Sequence, residues 1–218
     1  MKIFTRRTQI IRYIQLTFFL NLKSIQMKLI PVCLLVSACS IFTSAKAQKT
    51  TLSTAETNAL MVVHENQKLS LFVYDSLYAI WGINPFGNIR SAESQHVSFL
   101  NDVADNYALD LETNKPGNST AAFSTPQAET IYQESISKGS VSVVDALKMG
   151  ARLEEMSLQV LHNAKAVTIK SDLLHTFDIL AMGSKNNLQA FNRRLKMYGI
   201  TYEPGFLEQK DFRNIINQ

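Results

Sequence analysis

Cysteine is nearly absent from this sequence: the 218-residue chain has two, Cys33 and Cys39, and none beyond residue 39. Everything after that point has no disulfide to staple it and no Cys-pair metal motif, so its core must suffice. Acidic residues are missing from the first 47 positions, which carry seven basic ones: Lys2, Arg6, Arg7, Arg12, Lys23, Lys28 and Lys46. There is no glycine-rich phosphate loop and no Ser/His/Asp spacing that argues for hydrolysis. Strand-like alternation is missing too, and no internal repeat stands out beyond the likeness of helix pairs.

The acid-free stretch reads as an export signal covering residues 1–47. Its two apolar runs, at residues 10–20 and 29–42, are each shorter than the about 20 residues a membrane span needs. Met27-Lys28 supplies a short basic start for the second run, which makes Met27 a candidate true start. Ala45-Lys46-Ala47 has the small residues signal peptidase needs. Leu35-Val36-Ser37-Ala38-Cys39 resembles a lipoprotein lipobox, with Cys39 as the lipidated residue, and the two processing routes stay open. Either way the expected location is the periplasm or the cell envelope, with membrane contact only through the signal or a lipid anchor.

Setting this segment aside changes the charge argument. The remainder, residues 48–218, holds 15 basic against 18 acidic residues, so the basic pI of about 9.0 belongs to the signal. No nucleic-acid partner is indicated, and Arg193-Arg194-Leu195-Lys196 reads as the solvated end of a helix.

Helical periodicity then organises the remainder into one domain. A capping-box pattern, Ser53-Thr54-Ala55-Glu56, starts a helix that runs to Trp81, and the break at residues 82–87 leads into a second that ends near Ala108. Residues 110–126 form a polar crossover, followed by a short helix around residues 128–137. Two more long helices start at Ser142 and near Ser171. Four long helices with one long connection predict an all-α four-helix bundle, with a short extra helix between helices 2 and 3.

Each helix has an apolar seam, and each seam is interrupted at mid-length by polar residues. They are Gln67 on the first helix, Glu93 and His96 on the second, Glu154 and Ser157 on the third, Ser184 and Asn187 on the fourth. Burying a carboxylate costs several kcal/mol without a partner, so these positions imply a metal or a hydrogen-bonded layer. Glu65 lies about 200° around the helix from Gln67 and joins such a site only if that helix rotates. Glu155 sits off the seam that Glu154 shares with Leu147 and Leu161. His64, His162 and His175 read as surface histidines, and Trp81 and Phe86 as plugs for the first turn.

The arrangement resembles the ferritin-like bundles, whose carboxylate-bridged di-iron site uses Glu-x-x-His pairs like Glu93 and His96. Over residues 52–206 it is similar to an uncharacterised bacterial and archaeal ferritin-like family, a domain of unknown function. The segments that carry this likeness are His64-Glu65-Asn66-Gln67-Lys68-Leu69, Asn88-Ile89-Arg90-Ser91-Ala92-Glu93-Ser94-Gln95-His96, Ser140-Val141-Ser142-Val143-Val144-Asp145-Ala146-Leu147-Lys148-Met149-Gly150, Leu153-Glu154-Glu155 and Gly183-Ser184-Lys185-Asn186-Asn187-Leu188-Gln189-Ala190-Phe191.

The resemblance implies a ferritin-like fold, a metal-binding ancestry and, if any reaction, oxidoreductase chemistry. It also marks departures: members typically read Glu-Glu-Glu where this chain has Glu65-Asn66-Gln67, Asp where it has Ser157, and His where it has Asn187. Two confident carboxylates, against the about four that offset a pair of divalent ions, argue against a full di-iron centre. One reading is a single Fe, Mn or Zn ion held by Glu93, His96 and Glu154, with Gln67, Asn187 or water completing its shell. The other is a metal-free layer in a scaffold or interaction module, for which residues 114–125 are a candidate contact loop. No reaction, electron donor or protein partner is legible, and assembly state, including a homo-oligomer, is open.

Overall fold

The computed structural model describes residues 51–111 and 122–217. The expected export segment, with Met27 and Cys39, lies outside these residues, as does most of the candidate contact loop. Among the described residues there are six helices and no strand: α1 (Thr54–Trp81), α2 (Phe86–Asp105), α3 (Pro126–Gly139), α4 (Val143–Ala166), α5 (Ser171–Met197) and α6 (Gln209–Ile216). None is long and apolar enough to cross a membrane.

Local chemistry sets most of the helix ends. Ser53 and Glu56 form both halves of the capping box on α1, and Glu56 also accepts a hydrogen bond from the Thr168 hydroxyl, tying this end to the α4–α5 link. Gly82, in the left-handed region at φ 60°, closes α1 by donating its N–H to the Tyr78 carbonyl. Thr125 caps α3, with Pro126 in its first turn, and Ser142 caps α4.

The long helices pack in a ring: α1 against α2, α4 against α5, α1 against α4 and α2 against α5. The four-residue links after α1 and after α4 make each linked pair antiparallel neighbours. α3 lies on α1 and α4, and α6 on α5. The α6 helix was not foreseen; it is short and buries only Phe212 and Ile215, a stripe too brief to stand out as a period.

Burial of the seams produces two apolar clusters instead of one. Tyr74, Leu77, Phe86, Leu147, Leu188 and Phe191 belong to the first, and Leu60, Val63, Leu100, Leu161, Phe177 and Leu180 to the second. On every long helix the polar interruption falls between residues of the two. Gly150 shapes the first cluster, because a β-carbon there would lie 2.3 Å from the Phe191 ring. The absent side chain lets Phe191 reach Phe86 and Tyr74, at ring-centroid distances of 5.3 and 5.6 Å.

A buried polar layer as the candidate functional site

The layer is built from one turn of each long helix. Glu93 on α2 is fully buried: its Oε1 accepts from Asn187 Nδ2 of α5 at 2.9 Å, and its Oε2 lies 3.2 Å from His96 Nδ1, one turn along the same helix. The same imidazole nitrogen is 3.0 Å from Gln67 Oε1 on α1. Its single N–H is thus shared between the carboxylate and the amide oxygen. The edge of the ring rests on Gly183 of α5, where a β-carbon would fall 2.7 Å from Cε1 and 2.9 Å from Nε2. Gln67, His96, Glu93 and Asn187 therefore form one hydrogen-bonded chain across three helices.

Glu154 completes the layer from α4 without joining that chain. One oxygen accepts from the Tyr74 hydroxyl at 2.8 Å, and the same hydroxyl lies 3.2 Å from the Gly150 carbonyl. The other oxygen, Oε2, is buried with no hydrogen-bond partner, as are the hydroxyls of Ser184 and Ser70. Burial, and then the charge of Glu93, push the Glu154 carboxyl well above the usual range. The Tyr74 hydrogen bond opposes the shift, and Ser184 and Asn187 oppose it from positions short of a formed bond to Oε2. The Tyr74 phenol is pushed up as well, first by burial and then by the charges of Glu154 and Glu93. A proton on Glu154 removes the like-charge repulsion, as in other close carboxyl pairs.

A model of an uncharacterised protein domain, DUF2202, matches residues 56–218. The chain belongs to the DUF2202 family. It is 31% identical over 169 residues to the uncharacterised protein MJ0754 of Methanocaldococcus jannaschii, covering 78% of this chain and 90% of that one. The crystal structure of the hypothetical protein MJ0754 from Methanococcus jannaschii is similar in fold, with a TM-score of 0.72 at 30% identity, covering 78% of this chain and 95% of that one.

In this DUF2202 chain, Gln67, Glu93, His96 and Asn187 are brought into direct contact, with Glu154 close enough for its proton to feel Glu93. Glu65 stands apart: its Oε1 accepts from the backbone N–H groups of Ser124 and Thr125 at 2.6 and 3.1 Å, holding the approach to α3. Ser157 donates to Asn66 Oδ1 at 2.7 Å, and Asn66 in turn lies 3.5 Å from Gln67 Nε2, at the margin of a hydrogen bond. Among the described residues no three His, Cys, Asp or Glu side chains converge as a metal-ligand group.

Two side chains differ from the sequence expectation. His64 is buried, at 3% exposure, whereas His162 and His175 are exposed as expected. Glu155, off the seam, is nevertheless fully buried: its carboxylate accepts from the Tyr202 hydroxyl and from the backbone N–H groups of Gly205, Phe206 and Leu207. The signal for it was absent locally, because the donors arrive from a loop about 50 residues later.

Proposed function

We propose that this DUF2202 chain is an exported, ferritin-like helical module of the cell envelope, acting as a scaffold or interaction domain. Its mid-bundle layer is a proton-holding hydrogen-bond network in place of a di-iron centre. The ring of four long helices with a long crossover supports the ferritin-like reading, and the basic, acid-free residues 1–47 support export. The observation that carries the metal-free reading is the set of partners around Glu93 and His96: Asn187 and Gln67 engage them as neutral amides, at positions where a di-iron site needs anionic or imidazole donors. Of the four carboxylates and two imidazoles that such a di-iron centre uses, the described layer offers Glu93, Glu154 and His96.

One observation favours a second reading. Glu154 Oε2, Ser184 Oγ and Ser70 Oγ are buried oxygens without partners, and buried orphans of this kind mark places where a water or an ion belongs. A single divalent cation there would draw on Glu93, His96 and Glu154, with Gln67 and Asn187 as amide donors, and would supply Lewis-acid or one-electron chemistry.

Elemental analysis separates the two. The purified protein, before and after anaerobic incubation with Fe(II), Mn(II) or Zn(II), is expected to hold well under one ion per chain, and Glu93→Gln is expected to change nothing. Stoichiometric metal that disappears in Glu93→Gln would overturn the metal-free layer and establish the single-ion site.

A further inference from the structure

A concave feature lies apart from the layer, between α1, α3 and α4. It is a cavity of about 500 Å³ whose apolar wall includes Leu69, Ala128, Ile131, Met156 and Val160. That volume lies inside the range of about 300–1,000 Å³ typical of small-molecule sites, and the predominance of hydrocarbon over a few placed polar groups is equally typical. Leu69 and Ala128 are buried, whereas Val62, also on the wall, is 54% exposed and marks the mouth. The cavity therefore runs from solvent into the body of the domain.

Its polar residues decide what kind of molecule fits. Glu65 is part of the wall, and its carboxylate is held in place by the Ser124 and Thr125 N–H groups on Oε1, a pair of bonds that leaves Oε2 out. Neither lysine nor arginine contributes to the described wall. An anionic ligand would meet the Glu65 carboxylate with neither lysine nor arginine in the described wall to offset it, whereas a hydroxyl or an ammonium finds an acceptor there.

We propose that this cavity binds a linear apolar molecule with a hydrogen-donating, non-anionic head group, such as a long-chain alcohol or amine, its chain against Leu69, Ile131, Met156 and Val160 and its head at Glu65. The site is separate from the centre of the polar layer: none of Glu93, His96, Glu154 or Asn187 lines it, and Asn66, which accepts from Ser157, is the wall residue that reaches toward the layer. Binding here needs no metal and is unaffected by the outcome of the elemental analysis.

The test is fluorescence titration of the purified protein with N-phenyl-1-naphthylamine, an uncharged apolar probe with one N–H donor, followed by competition with decanol, decylamine and decanoate. Saturable probe binding is expected, with decanol and decylamine displacing it at concentrations at least about tenfold below decanoate. Val160→Trp, which fills the cavity, is expected to weaken probe binding by about tenfold or more. Met156→Trp is the second filling variant, and far-UV circular dichroism verifies that each is folded. Glu65→Gln keeps the backbone hydrogen bonds and removes the charge. It is expected to leave probe binding within about twofold and to bring decanoate level with decanol. Absence of saturable binding in the wild-type protein overturns the proposal. So does decanoate competing as well as decanol against wild type, or wild-type affinity in a folded filling variant.

Discussion

Replacing Glu154 by Gln tests the electrostatics of the layer directly. The carboxyl is fully buried, and its proton is held by desolvation and by the charge of Glu93, so the folded-state pKa lies well above the ordinary 4.5. The sign follows from proton counting. Below about pH 4.5 both folded and unfolded chains carry the proton; above it the unfolded chain releases the proton while the folded one keeps it. Stability associated with Glu154 is therefore fully present in acid and falls by about 1.4 kcal/mol per pH unit until the folded pKa is passed. Gln keeps the shape and can still accept from Tyr74, but it does not titrate. Urea unfolding from about pH 5 to about pH 8 should show the two proteins within about 1 kcal/mol at the acid end, with Glu154→Gln gaining steadily as pH rises. Comparing the two proteins cancels the titrating groups that do not sense Glu154; Glu93 is the neighbouring carboxylate that does. Parallel pH profiles would refute the argument, as would a loss above about 2 kcal/mol in the Gln variant at pH 5. A divalent cation bound at Glu154 reverses the trend, because it favours the ionised carboxylate, so repeating the series with Zn(II) also probes the second reading of the site.

Glu155→Ala should cost about 3 kcal/mol in urea unfolding, since four donors lose a charged acceptor and most recover water; hydrogen exchange at Gly205, Phe206 and Leu207 should accelerate with it, and a loss under about 1 kcal/mol would count against a Glu155 anchor. Gly183→Ala should destabilise by about 1–3 kcal/mol, because the new methyl must displace the His96 ring. In a double-mutant cycle with His96→Ala that penalty should largely vanish, and an unchanged penalty would place the strain elsewhere. Gly150→Ala should cost about 2 kcal/mol or more through its collision with Phe191 and be eased by Phe191→Leu, as thermal unfolding of the single and double variants would register.

The helices were legible because their signals are local. Ser53 and Ser142 cap where the pattern placed them, and the period of the seams identified the buried face of each long helix, including Gln67, Glu93, Glu154 and Asn187. His64 and Glu155 escaped the same logic for a shared reason. A seam describes the face toward the ring's interior, yet α1 and α4 also carry α3, and α4 takes the 202–207 loop on Glu155. A second buried face on one helix leaves no single period to read.

The sequence by itself determined that the domain is helical, where most of its turns fall, and that each long seam is interrupted by polar residues at mid-length, because capping and periodicity act within a few residues along the chain. Only the tertiary structure decided how those interruptions pair. Glu93 chooses Asn187 from 94 positions away, Tyr74 takes Glu154 across 80, and Gly183 leaves the space in which the His96 ring lies. Each of those choices depends on side-chain geometry between helices that meet only after folding. The same atoms arranged a turn apart would make a different layer.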